Sequence, residues 1–191
     1  QSPTPQSERT FNYWLTVRKN PKLFPNSGPI QIAKERLFAV GDQIHISFSS
    51  PQSGYLYIVS ESPAVRGSNS SFNTLFPTPN ANQGSSQLPA GKTIRIPEHD
   101  DGFVFDAEQG TEKLWLIWTS AEMAELEALK KWANEQDRGE IKDSAQIDKL
   151  RAFLSRHSES LPQGELDKES KRTIVKTAGD ILVKLIELEH Y

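Results

Sequence analysis

The densest group of metal-type ligands in the chain is Glu98-His99-Asp100-Asp101. Carboxylate oxygens and a neutral imidazole both suit a divalent cation. Four consecutive residues rarely aim at one point without ligands from elsewhere, so an acidic, solvated turn is the reading adopted. No metal and no cofactor is expected, and Glu98, His99, Asp100 and Asp101 are where a metal would have to sit. His45 lies between Ile44 and Ile46, but no nucleophile or orienting carboxylate can be placed beside it, and a surface-facing histidine is expected. His157, near a helix end, is expected on the helix's terminal carbonyls, and His190 at a frayed terminus. The serine-rich stretches SFSSPQSG and RGSNSSFN carry no nucleophile elbow, and no glycine-rich phosphate loop is present. No catalytic residue is therefore assigned.

Flat aromatic faces are the remaining chemistry. Trp14, Trp118 and Trp132 are the candidates for stacking on a sugar or peptide. Trp115 and Trp118 have opposite strand parity and so point to opposite faces of one strand.

Composition narrows the classes further. The chain has 191 residues, one domain's worth, with 36% hydrophobic residues and no cysteine. That composition removes disulfides, thiolate nucleophiles and cysteine-based zinc sites. The net charge of −3 and the scattered Lys and Arg give no concentrated basic face, so nucleic acid is not the expected partner. No apolar run reaches the roughly 20 residues of a membrane-spanning helix. The polar start QSPTPQSERT resembles the mature start of an exported protein, and an extracytoplasmic location is expected.

The elements that must position these residues are mostly strands. Residues 1–10 read as a loose linker, followed by one domain over 11–191. Phe11, Tyr13, Leu15 and Val17 alternate with polar neighbours or Trp14, the mark of a half-buried strand. Short strands are predicted around Leu37–Val40, over Ile44–Phe48 and Tyr55–Val59, at Phe72–Pro77, Thr93–Pro97 and Phe103–Phe105, and over Thr111–Thr119. The last is the most apolar and is placed at a sheet centre. Absence of βαβ alternation before residue 119 predicts an antiparallel sandwich, jelly-roll or Ig-like, within an α+β, mainly β class. Thr119 with Glu122, and Asp143 with Gln146, fit helix N-terminal boxes. The stripes Met123, Leu126, Leu129 and Ile147, Leu150, Phe153 then predict an αα-hairpin over about 120–160. Gly179-Asp180 suits a hairpin turn between returning strands over about 171–190, although Ile181–Leu188 also fits a helix face.

Three ordered segments, GDQIHISFSSPQSGYLYIVSES, TLFPTPNANQ and LPAGKTIRIPEHDDGFVFDAEQGTEKLWLIWTS, resemble the bacterial Domain of Unknown Function 4384 over about residues 37–120. The resemblance implies a β-sandwich accessory module with no assigned catalysis, often beside signalling or protease-like domains or in exported proteins. The expected function is a non-catalytic interaction domain with a protein partner, bound through the helical hairpin or the long Pro63–Gly91 stretch. A glycan- or peptide-binding module using exposed aromatics is the alternative, ahead of a hydrolase or metal-binding protein.

Overall fold

The computed structural model describes residues 7–33, 35–64, 66–105, 110–158 and 161–191. Twelve strands among them form two antiparallel sheets. The first sheet runs in the order β10 (Glu165–Asp167), β11 (Arg172–Ala178), β1 (Glu8–Arg18), β3 (Gln43–Ser49), β7 (Thr93–Ile96). Short strands β2 (Ile30–Ile32) and β8 (Phe103–Val104) pair with β1 and β3. The second sheet runs β12 (Ile181–His190), β9 (Gly110–Thr119), β4 (Gly54–Glu61), β5 (Phe72–Phe76), with β6 (Gln87–Leu88) on β4.

The two sheets pack face to face through one apolar cluster. Phe11, Tyr13, Leu15 and Val17 of β1 meet Leu56 and Ile58 of β4 and Leu114, Leu116 and Trp118 of β9 there. These are the alternate residues of each strand, as a period of two requires. Phe48 stands edge-on to Trp118 at 5.2 Å between ring centres, tying the two sheets at mid-core.

A second cluster covers the outer face of the second sheet. Tyr57, Val59, Trp115, Ile117 and Val183, the other parity of their strands, pack under Leu126, Leu129, Leu150, Phe153 and Leu154. From Leu114 to Trp118 β9 is therefore buried on both faces, which explains the unbroken apolar run there. The layer above it differs from two full helices. The first stretch is a four-residue helix, α1 (Ala124–Glu127), continuing as a tight 3₁₀ turn over Ala128–Trp132. Its start is Met123 with no side-chain cap, because the Thr119 hydroxyl is turned to the Ala121 carbonyl instead. The second, α2 (Ser144–Ser158), is a full helix. Asp143 Oδ1 accepts from the Gln146 N–H, half of the expected box, while the Gln146 amide oxygen takes the Trp132 indole N–H.

Glu127 holds this layer to the sheet. Its Oε1 accepts from the Tyr57 hydroxyl at 2.8 Å and from the Ser86 hydroxyl, and its Oε2 from Lys130 at 2.7 Å. Burial alone would raise the Glu127 carboxyl, but the hydrogen bonds from Lys130, Ser86 and Tyr57 outweigh it and hold the group below the usual range. The same burial pushes the Tyr57 phenol up.

Four sequence expectations change in three dimensions. Residues 8–10, expected in the linker, belong to β1, which starts at Glu8, and Arg9 is buried with its guanidinium 4.8 Å over Trp118. Leu37–Val40 is no strand, although Phe38 bridges to His190 in parallel sense. Ile181–His190 is a strand and not a helix, yet Gly179-Asp180 makes no hairpin. β11 pairs with β1 and β12 with β9, so the turn carries the chain from one sheet to the other. The reason lies in burial: β11 buries only Thr173 and Val175, whereas β12 is apolar on both sides and needs the sheet that is covered twice. The Pro63–Gly91 stretch, finally, holds the unexpected β6 besides the expected strand at β5.

Two outcomes follow from this packing. Leu116→Ala, at a fully buried position, is expected to lose about 2–5 kcal/mol in urea unfolding, through lost burial and a residual cavity. Glu127→Gln is expected to cost about 1–3 kcal/mol at pH 7. Because the folded carboxyl lies below its unfolded value near 4.3, its contribution is full above that pH and fades as pH falls through the folded value. The acid limb of the stability curve should accordingly be flatter in Glu127→Gln than in the parent, measured by urea titrations between pH 7 and 3.

Candidate functional site

At the end of the body where β4 finishes and β9 begins, the inner pattern of the second sheet turns polar. The inward series Leu56, Ile58 continues into Ser60 on β4, and Trp118, Leu116, Leu114 continues into Glu112 on β9. On β12, Leu182, Ile186, Leu188 continues into His190. Ser60, Glu112 and His190, with Asn73 of β5, line a cavity of about 270 Å³ beneath Ile44, Phe103 and Phe105 of the opposite side. His190 is buried, its ring 5.0 Å from that of Phe105, and its Nδ1 has no hydrogen-bond partner among the described residues. It is thus part of the fold and not a frayed end.

A second cavity, about 440 Å³, adjoins the first: Leu75, Phe103 and Arg138 line both. Its walls come from Thr78, Pro79 and Asn80 on one side and from Ala133–Gln136 and Gly139 on the other. The two segments that exceed a minimal two-sheet body therefore meet across one groove.

Local chemistry explains how the 133–141 connector reaches it. The Asn134 side chain accepts from the Asp137 N–H and donates to its carboxylate, and Lys142 closes the turn on Asp137 at 2.7 Å. Hydrogen bonds from Lys142 and Asn134 hold the Asp137 carboxyl low. Arg138 and Gly139 then both take left-handed φ, +52° and +79°. The chain doubles back along the edge of β5, where Thr74 N–H donates to Gly139 O at 2.7 Å and Ile141 N–H to Phe72 O at 2.9 Å. This covers an edge that would otherwise be open. A Cβ at Gly139 would stand 2.7 Å from the Thr74 carbonyl oxygen, so only glycine fits. The guanidinium of Arg138 is left exposed over the groove, in no ion pair among the described residues.

The residues singled out by sequence are dispersed. Glu98 accepts from the Thr78 hydroxyl, the His99 carbonyl accepts from His45 Nε2 at 2.9 Å, and Asp100 pairs with Arg95. Glu98 and His99 line the outer cavity, while Asp100 and Asp101 point to solvent. No group of three metal-type side chains converges among the described residues. His45 is buried, contrary to a surface placement, because its ring clasps the loop that carries His99. His157 does meet its helix, Nδ1 donating to the Phe153 carbonyl at 2.9 Å.

The tryptophans are spent on structure. Trp118 is fully buried, Trp115 packs under the helical layer, and Trp14 lies 4.1 Å beneath the guanidinium of Arg172. Trp132 is half-buried and donates to Gln146. The groove residues Ser60, Asn73, Glu112, Phe103 and Arg138 were not singled out by sequence. A signal did exist for two of them: Ser60 and Glu112 are polar residues in phase with an apolar stripe.

The order of Gly-Asp turn, Gly-Tyr-Leu-Tyr strand, Leu-Phe-Pro, Ile-Pro and β9 is now seen to build both sheets from β3 to β9. Residues 37–122 match the model of the Domain of unknown function (DUF4384) family. No curated protein and no solved structure matches the chain. The DUF4384 segment supplies Ile44, Ser60, Asn73, Leu75, Phe103 and Glu112 of the groove. Its core is completed from outside, by Phe11, Tyr13 and Leu15 of β1 and by Leu182 and Ile186 of β12. Arg138 and His190 likewise lie beyond the matched residues, so the groove joins family and flanking parts.

Gly139→Ala should lose roughly 1–3 kcal/mol of stability, from left-handed strain and the clash with Thr74. Thermal unfolding measures it, and amide exchange should show Thr74 and Ile141 losing protection first.

Proposed function

We propose that this chain is a non-catalytic binding module that holds an extended segment of a partner protein in the end groove. The observation that carries the reading is the placement of Ser60, Glu112 and His190 at core-facing positions beneath an apolar roof of Ile44, Phe103 and Phe105. The buried Nδ1 of His190 has no partner among the described residues, and a buried polar atom left unsatisfied costs stability that a bound group can recover. A cavity with an apolar wall and a few convergent polar groups is the usual form of a binding site. Arg138 at the junction of the two cavities supplies a cation for an acidic side chain or a terminal carboxylate.

A peptide suits this groove better than a glycan, because Trp14 and Trp118, which would stack on sugar rings, are buried. Catalysis is the weaker reading, since no hydrogen bond joins Ser60 to His190 among the described residues. We also read the facing sheets as a sandwich of jelly-roll rather than Ig-like type, on the repeated passage of the chain from one sheet to the other.

The test is peptide selection. A random peptide library panned on the protein is expected to yield sequences sharing an acidic residue or free C-terminus beside an apolar one. Arg138→Asn keeps a residue tolerant of left-handed φ and should weaken the selected peptides about tenfold or more with unchanged melting temperature, as loss of a charged hydrogen bond does. Selected peptides that bind both proteins alike, or a selection that yields none, would overturn the proposal.

A further inference from the structure

The loop between β1 and β2 lies at the same end of the body but on the first sheet, and nothing in the groove uses it. Its sequence is Lys19-Asn20-Pro21-Lys22-Leu23-Phe24-Pro25. Leu23 and Phe24 are 70% and 55% exposed, and Ile30, Val40 and Val104 are exposed on elements that end at the same end of the sheet. Isolated apolar residues on a surface need no explanation, but two consecutive large ones, both more than half exposed on one loop, are a distinct feature.

The tip is held in place. Asn20 O accepts from the Leu23 and Phe24 N–H groups at 3.1 and 2.8 Å, and Asn20 Oδ1 accepts from the Lys22 N–H at 3.0 Å. The Asn20 side-chain amide donates to Val40 O, and its backbone N–H donates to Asp42 Oδ1. Asp42, itself buried, also takes Lys19 Nζ at 2.8 Å and the Ala39 N–H. Ser27 N–H closes the far side on Phe24 O. The peptide groups that would travel with Leu23 and Phe24 thus have their donors satisfied inside the loop. Such a tip can enter an apolar phase without carrying unpaired N–H groups into it.

Along the segment that carries the tip, the charges in sequence have one sign. No Asp or Glu occurs between Glu8 and Glu35, while Arg9, Arg18, Lys19, Lys22 and Lys34 do. Lys19 is matched by Asp42, but Arg18 and Lys22 are exposed and in no ion pair among the described residues. Two exposed apolar side chains in a segment that carries unpaired cations match a fluid, anionic surface. Neither feature suffices alone, since stable attachment to a bilayer takes an apolar and an electrostatic signal together.

We propose that the Leu23-Phe24 tip docks this end of the protein on the surface of a membrane containing anionic lipid. The apolar pair enters the boundary between headgroups and acyl chains, and Arg18 and Lys22 remain at the headgroup phosphates. The inference is independent of the peptide groove, and Arg138→Asn should leave it untouched.

Vesicle sedimentation of the full chain decides it. Vesicles of phosphatidylcholine with about one third phosphatidylglycerol are expected to carry the protein down, and phosphatidylcholine alone to leave it in solution. Binding should fall about tenfold or more in Leu23→Ser/Phe24→Ser, fall in Lys22→Glu, and be weakened in about 1 M salt, where the Debye length is about 3 Å. Both variants change exposed side chains only, and unchanged melting temperatures confirm the fold. Absence of sedimentation with anionic vesicles would overturn the proposal, as would equal binding by the double variant. Tip-dependent capture of a single protein, with no vesicle binding, would assign the patch to a protein interface and overturn it equally.

Discussion

Burial of β9 on both faces governs the rest of the molecule. Leu114, Leu116 and Trp118 fill the space between the sheets, while Trp115 and Ile117 need cover of their own on the other side. An antiparallel sheet can leave one face to water, but a strand with this sequence cannot. A third layer is therefore obligatory, and the stretch following β9 supplies it within a few residues. At roughly 1.5–3 kcal/mol per fully buried large side chain, the outer cluster contributes a substantial share of the stability that offsets chain entropy. Deleting the helical layer would expose that face, so the layer belongs to the fold and not to its decoration.

The same constraint places the candidate groove. The helical layer must return along the second sheet, and it does so by the Asn134–Ile141 connector laid against β5. The tight, left-handed step at Arg138-Gly139 brings a guanidinium to the end of the body, where the inner stripe has turned polar. The site is thus assembled from the ends of β4, β5, β9 and β12, the 97–105 segment and a connector, each fixed by packing elsewhere. Functional side chains carried on element ends and loops, over a scaffold that does not move, are the common arrangement in two-sheet proteins.

Much of this was legible along the chain. Alternation marked β1, β3 and β4, an apolar run marked β9, the family motifs marked the middle of the body, and Asp143 announced α2. What failed did so for identifiable reasons. Met123, Leu126 and Leu129 carry a helical spacing, but the packing of Leu129 and the Thr74–Leu129 hydrogen bond draw that stretch into a tight turn. Gly179-Asp180 carries a hairpin signature, yet a turn residue reports only local backbone geometry and not which strands lie on either side. Trp14 and Trp118 carried a binding signature by type alone, and burial consumed both.

The sequence by itself determined the class of structure, the parity of its strands and the need for two apolar faces on β9, because these depend on periodicities of two and 3.6 that neighbouring residues impose on one another. Only the tertiary structure decided which sheet each strand joined and that His45 and His190 are buried. It alone brought Ser60, Asn73, Glu112, Arg138 and His190 to one cavity. Those residues are separated by up to 130 positions (Ser60 to His190). Their meeting depends on the order in which whole strands pack, a property that no local pattern encodes.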